Sequence, residues 1–245
     1  MTVALIGLAA LVAACLQATT GLGFALLLSP VLFAYLPPTG AIVTVTALGL
    51  ALNLLVLLAE RRRPSVAWAQ VAPILAAAVP GIVSGVFLLQ AVPKPALQIG
   101  VGLAIIVATL LRLRAGHSAA GPSRVPMRLT VGFLTGVLTT SAGISGPPLA
   151  LWLSRRGLTP SELRDTLSVM FLVIGAIAGL ALVPVLRRAQ LDPPLLAAAL
   201  ICVIAGHALG SRAFARLSAR PYQPLLLAVI LIAGVASIAA GASAL

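Results

Sequence analysis

Long apolar runs alternate with short polar gaps along the whole chain. Residues 41–59, 67–91, 96–113, 166–186, 195–214 and 222–243 are each long enough to cross a bilayer as one helix, which takes ~20 residues. Two other apolar stretches are interrupted. Residues 3–17 and 22–36 flank a segment holding Thr19, Thr20, Gly21 and Gly23, and residues 128–141 and 147–154 flank Thr139-Thr-Ser-Ala-Gly-Ile-Ser-Gly-Pro-Pro148. Glycine costs helix stability, and an interior proline removes a hydrogen bond and clashes with the preceding turn. Proline is favourable in the first turn of a helix. The pattern therefore predicts one short helix ending near Thr140 and another starting at Pro147, with the same event around Thr19–Gly23. The alternative is two kinked but continuous helices. Pro73 and Pro80 predict kinks within 67–91. Ser161 is expected to cap a helix whose first turn holds Glu162 and Asp165, acids that suit the positive end of the helix dipole.

The interruptions recur at matching places. Thr19, Thr20 and Gly23 lie 120 residues before Thr139, Thr140 and Gly143, and Gly81-x-x-x-Gly85 lies 125 residues before Gly206-x-x-x-Gly210. Small residues four apart let membrane helices approach closely. The chain thus reads as a duplicated unit: a first repeat over 1–113, a linker over 114–126 and a second repeat over 127–245. The fold class is an all-α polytopic membrane protein, each repeat a broken helical hairpin plus three transmembrane helices.

Composition supports this. The chain is 61% hydrophobic, only 8% charged, and has a mean hydropathy of +1.17, which excludes a soluble domain. Its formal charge of +12 does not point to nucleic acid, because the basic residues sit in gaps between apolar spans, where they orient the chain and meet headgroups. Cys15 and Cys202 fall inside spans and make neither a disulfide pattern nor a metal site. The apolar start lacks the basic n-region of a signal peptide and is read as retained membrane sequence.

Two topologies follow. If each broken segment crosses once, the halves run parallel and the basic residues divide nine against seven between the two sides. If each is a re-entrant hairpin, the halves are inverted; the gaps at 60–66, 112–128, 154–165 and 212–220 then share one side with thirteen basic residues against three. The positive-inside rule prefers inverted repeats.

Paired interruptions at matching places in two halves point to a transporter's binding site. An anion inside a bilayer needs donors and positive potential. Helix N-termini supply both. Gly21, Gly23, Gly143 and Gly146 let backbone amides approach a ligand, Thr19, Thr20, Thr140, Ser141 and Ser145 offer hydroxyls, and Pro147 opens the second half-helix. The hydroxyls can equally bond back to their own helices. Asn53 and Gln98 can line the path or join helices, and His207 can couple transport to protons or simply pack. All four acids map to gaps, so a carboxylate proton relay is not expected, and the membrane potential is the available driving force. No cofactor or metal is expected, and no grouping suits a membrane enzyme. The expected partners are a small anion and the bilayer; a homodimer is left open. The competing reading is a non-transporting structural subunit of a membrane complex.

Several blocks resemble a known family. They are Gly21-Leu-Gly-Phe-Ala-Leu-Leu-Leu-Ser-Pro30, the loop after Asn53 opening with Glu60, Pro80-Gly-Ile-Val-Ser-Gly85, Gly143-Ile-Ser-Gly-Pro-Pro148, Arg164-Asp-Thr-Leu167 and Leu209-Gly-Ser-Arg212. Together they resemble the TauE/SafE family of sulfite exporters over nearly the whole chain, with Ala25 where the family motif often carries a third glycine. The resemblance implies a multi-pass permease of the bacterial inner membrane that moves sulfite, a sulfonate or a related organosulfur anion.

Overall fold

The computed structural model describes residues 2–59, 63–93, 125–186 and 191–216, with scattered positions within 95–110 and 228–242. Among the described residues there are eight helices and no strand. They are α1 (Thr2–Thr20), α2 (Phe24–Tyr35), α3 (Pro38–Ala59), α4 (Trp68–Ala91), α5 (Val125–Ala142), α6 (Gly146–Leu153), α7 (Pro160–Leu186) and α8 (Pro193–Arg216). The described positions within 95–110 and 228–242 are also helical. Five helices (α1, α3, α4, α7 and α8) are long and apolar enough to cross a membrane. Most of the expected linker, residues 114–124, lies outside the described residues, while Val125 and Pro126 already belong to α5.

Both interruptions are real helix breaks. Gly21 (φ 72°) ends α1 and Gly143 (φ 70°) ends α5, in the left-handed conformation that glycine adopts without a Cβ penalty. The amide of Gly21 bonds back to the Gln17 carbonyl at 2.7 Å, and that of Ile144 to the Leu138 carbonyl at 3.0 Å. These two glycines lie 122 residues apart, and Pro38 at the start of α3 and Pro160 at the start of α7 have the same spacing. The second helix of the later break starts at Gly146, one residue before the predicted Pro147, with Ser145 at its N-cap.

After each break the chain folds back. Leu5, Leu8 and Val12 of α1 line the same groove as Leu27, Val31 and Tyr35 of α2, so α2 returns along α1. The halves then clasp each other's hairpins. One buried cluster joins α5 and α6 to Ile74, Ala78 and Ile82 of α4. The other joins α1 and α2 to Leu195, Ala199 and Val203 of α8. The closest packing runs along α4–α5 and α1–α8, where glycines remove the side chains between two backbones. A Cβ on Gly81 or Gly85 would strike the Phe133 or Val137 carbonyl, and one on Gly206 or Gly210 the Leu11 or Cys15 carbonyl. Gly132 and Gly136 of α5 make the reciprocal contacts with the Ile74 and Ala78 carbonyls, a small-residue pair that the sequence reading did not single out.

Two pairs run antiparallel. Leu50, midway along α3, meets Gly175 and Gly179 of α7, while Ser65 beyond the end of α3 meets Asp165 near the start of α7. Gly102 faces Gly234 and Ile238, while Gly241 faces Pro95 and Ile99.

The start of α7 differs from expectation. Thr159, not Ser161, is the cap. Its hydroxyl accepts from the Glu162 amide at 3.3 Å, and Glu162 Oε2 accepts from the Thr159 amide at 2.9 Å, a capping box with Pro160 at the first helical position. Asp165 is no gap residue either. It is 3% exposed, and its carboxylate accepts from the Ser65 amide at 2.8 Å, tying the α3–α4 connection to α7.

Glycine's role in the clasps is testable. Gly85→Val is expected to overpack the α4–α5 contact by roughly 1–3 kcal/mol, lowering the yield of monodisperse protein and its melting temperature. Gly100→Ala, which meets nothing within 4 Å, should leave both unchanged or slightly improved, as read by size-exclusion profiles and thermal melts in detergent.

Candidate functional site

The two breaks meet. A cavity of about 50 Å³ is lined by Leu22, Gly23 and Phe24 of the first break and by Gly143, Ser145 and Gly146 of the second. Where roughly 10–15 Å³ admits one water, this is room for a few waters or a small oxyanion. α3 adds Thr46, Gly49 and Asn53; α7 adds Phe171 and Gly175; Gln17 and Thr139 reach it from the ends of α1 and α5. Most of these stand in pairs 122 residues apart: Gln17 with Thr139, Gly23 with Ser145, Phe24 with Gly146, Gly49 with Phe171, Asn53 with Gly175. The cavity thus draws on both halves of the chain, yet each pair consists of unlike residues.

Short contacts lock the two tips together. Ser29 of α2 donates to the Gly143 carbonyl at 3.2 Å. A Cβ on Gly146 would strike Leu22 Cδ1, and one on Gly143 would sit 2.7 Å from Val45 Cγ1 and 2.9 Å from Ser29 Oγ. Glycine at 146 is therefore what lets the first tip reach the N-terminus of α6.

Three sources supply the donors. α2 begins at Phe24 with Gly23 at its N-cap, and α6 begins at Gly146 with Ser145 at its N-cap. Neither cap residue bonds the helix through a side chain, so the first-turn amides have no side-chain lid from their own cap. Pro147 and Pro148 have no N–H, which leaves Ser145 and Gly146 as the amides at the mouth of α6. Two N-termini give positive potential at one cavity, and the described residues lining it carry no charge.

The hydroxyls named from the sequence are mostly turned elsewhere. Thr19 Oγ1 donates to the carbonyls of Leu16 and Cys15 at 2.7 and 3.1 Å, and Ser141 Oγ to the Val137 carbonyl at 2.7 Å. Thr140 Oγ1 donates to the Ile82 carbonyl of α4 at 2.8 Å, so it joins helices. Thr19, Thr140, Ser141 and Pro147 do not line the cavity; Ser145 does. The Thr20 side chain and Gln98 lie outside the described residues. Gly21 packs behind the tip, where a Cβ would sit 3.1 Å from Arg164 Cα. Arg164, counted as a gap residue from sequence, is in fact 5% exposed within α7. His207 is buried but does not line the cavity; Ser211 Oγ lies 3.4 Å from its Nε2 and donates to its carbonyl at 2.8 Å.

Gln17 escaped the sequence reading. It ends an apolar run, and nothing in its neighbours marks it as reaching the second helix of the hairpin. It is 4% exposed, and its Oε1 accepts from the Phe24 amide at 3.2 Å. Beyond the cavity, Arg156 stacks over the Trp152 ring at 4.3 Å in the loop after α6. Burial, then Arg128 and Arg155, hold its pKa below the usual guanidinium range, so three cations cluster at the base of the second hairpin.

The family model described as Sulfite exporter TauE/SafE matches residues 6–237, nearly the whole chain. Neither the curated proteins nor the solved structures give a match.

The two left-handed glycines at the break and in the open loop make a controlled pair. Gly157 (φ 68°) has nothing within 4 Å of an added Cβ, so Gly157→Ala should cost only the conformational penalty of about 1–2 kcal/mol. Gly143→Ala pays that penalty and must also displace Val45 and Ser29; it should melt at a clearly lower temperature than Gly157→Ala.

Proposed function

The chain belongs to the TauE/SafE sulfite exporter family, and on that premise we propose that it is a permease for small sulfur oxyanions, taking sulfite, a sulfonate or a related organosulfur anion across a bacterial inner membrane. The observation that carries this reading is the cavity between the two breaks. Two helix N-termini, one from each half, address one small space lined by neutral groups. The cost of moving an ion from water into a low-dielectric site rises with the square of its charge, and no cation lines this cavity to offset it. The site therefore suits singly charged anions, held by backbone amides, Ser145 and the half-charges of two helix ends.

We read the halves as inverted repeats built from re-entrant hairpins. Exchange of the halves maps α3 onto α7 and the 95–110 segment onto 228–242, and both pairs run antiparallel. A two-fold axis that relates antiparallel partners lies across them, hence in the membrane plane. Parallel repeats would leave each pair parallel. The charge count supports the same orientation, with thirteen basic residues on the cytoplasmic side. Inverted halves can exchange conformations around a fixed site, which moves its opening from one side to the other. The arginines near the base of the second hairpin then stand at the cytoplasmic mouth, where positive potential gathers anions.

Purified protein in proteoliposomes should move sulfite and small sulfonates and leave sulfate behind at neutral pH. Gly146→Val should abolish this flux while retaining the size-exclusion profile of the parent, because an added Cβ clashes only with the movable end of the Leu22 side chain. Normal flux through Gly146→Val would falsify the site. For topology, single cysteines at Leu158 and Pro38, in a chain lacking Cys15 and Cys202, should react with an impermeant thiol reagent from opposite faces. Reaction of both from one face sinks the inverted arrangement.

A further inference from the structure

Gln17 and Asn53 form a directed chain of hydrogen bonds along the first-half side of the cavity. Asn53 Nδ2 donates to the Gly49 carbonyl at 2.8 Å, Gln17 Nε2 donates to Asn53 Oδ1 at 2.8 Å, and the Phe24 amide donates to Gln17 Oε1 at 3.2 Å. Both carboxamides are 4% exposed. Their orientation is not a matter of choice. The Gly49 carbonyl can only accept and the Phe24 amide can only donate, so neither side chain can be reversed without opposing like groups. The atom that Gln17 presents to the N-terminus of α2 is therefore an oxygen. The second half has no counterpart. At the position matching Gln17 stands Thr139, whose hydroxyl donates to the Thr135 carbonyl of its own helix at 2.6 Å, and at the position matching Asn53 stands Gly175.

We propose that Gln17 Oε1 is a built-in occupant of the anion site, bonded to the Phe24 amide when no anion is present and displaced from it when an anion binds. This rests on the permease reading given above. A buried helix-end amide left without an acceptor is costly, and the cavity is too small to guarantee it bulk water. The carboxamide oxygen supplies that acceptor, but weakly: it is neutral, and 3.2 Å is long for an N–H···O bond. An anionic oxygen makes a shorter, charge-assisted bond to the same amide and displaces it. The competition lowers affinity by design. Conduction through a narrow site requires binding weak enough for release, and an internal competitor restores the amide's bond as soon as the anion leaves. Because Asn53 is anchored on Gly49, it holds the Gln17 nitrogen and draws the oxygen back to its position.

The test compares Gln17→Glu and Gln17→Ala with the parent, using sulfite and methanesulfonate in proteoliposome flux and in thermal-shift titrations. Gln17→Glu places a carboxylate on the Phe24 amide, where a helix N-terminus favours it. Read in the Asn53→Val background, where no oxygen opposes the second carboxylate oxygen, it should fold, lose flux, and show no melting shift with either anion. Gln17→Ala frees the amide and should lower the half-saturating concentration of both anions by about five- to tenfold, the scale of the one neutral hydrogen bond that the anion no longer has to displace. If loss of a donor to Asn53 Oδ1 prevents folding, Gln17→Ala combined with Asn53→Val removes both partners and is read in the same way. A higher half-saturating concentration in Gln17→Ala, or parental flux in Gln17→Glu, overturns the role of Gln17 while leaving the permease intact. A parent that neither transports nor is stabilised by any anion overturns the permease reading, and the role of Gln17 with it.

Discussion

Broken backbone cannot face hydrocarbon, and the rest of this structure depends on that constraint. In a bilayer an unmade N–H or C=O has no water to turn to, so a helix may stop halfway only where protein encloses the stop. This chain stops twice, at Gly21 and Gly143. Each tip closes part of its own account through a bond from the residue at or after the glycine to the preceding turn. The rest falls to neighbours. Helix α4 covers the second hairpin and α8 covers the first, so each half encloses the other's break. That exchange explains why glycines cluster on α4, α5 and α8. Apolar side chains gain little by leaving lipid for protein, so these helices are held by close contact, and close contact between backbones requires residues without side chains.

The same enclosure makes the site asymmetric. Residues 122 positions apart both line the cavity, but their chemistry differs: Asn53 with Gly175, Gly49 with Phe171, Gln17 with Thr139. The first half supplies carboxamides; the second supplies the serine cap and two prolines that remove amides from its own helix end. A symmetric site would offer the anion two equivalent helix ends and no preferred orientation. Here one end is covered by a carboxamide oxygen and the other is not.

Much of this was legible from sequence because glycine and proline act locally. Two breaks, their repetition and most helix bounds follow from residues that cannot continue a helix. What failed depends on contacts between distant segments. The Thr-Thr pairs lie 120 residues apart, whereas the left-handed glycines that end α1 and α5 lie 122 apart, because backbone conformation at the helix end and not a matching dipeptide decides where each helix stops. Ser161 looked like a cap because it precedes acids; Pro160 fixes the first helical position two residues earlier and leaves Thr159 as the cap. Asp165 looked solvated, yet it is buried by its bond to Ser65, 100 residues away. Gln17 was invisible for the same reason: its partners, Phe24 and Asn53, are recruited only once the hairpin has folded back onto α3. The hydroxyls show the converse. Thr19 and Ser141 sit beside the breaks in sequence, but at the end of a helix the nearest acceptor is the carbonyl three or four residues back, and that contact wins.

Charge is distributed in two zones with different physics. Deep in the fold the cavity lining is neutral, and potential comes from helix ends whose dipoles are fixed by the backbone. At the base of the second hairpin Arg128 and Arg155 stand close to Arg156, whose charge is disfavoured first by burial and then by these two neighbours, and which rests on Trp152. A full cation inside the cavity would hold an anion tightly and slow its release, since opposite charges at contact in a low dielectric interact far more strongly than in water. At the rim, water and salt screen the same charge, so it raises local anion concentration without trapping the ion. In the permease reading, keeping full charges off the cavity lining and using partial charges there separates capture from passage. On that reading, a chain with sixteen basic residues and a neutral cavity lining is consistent in itself: the cations set orientation and gather anions, while the binding step is left to amides that cannot be titrated and cannot move away.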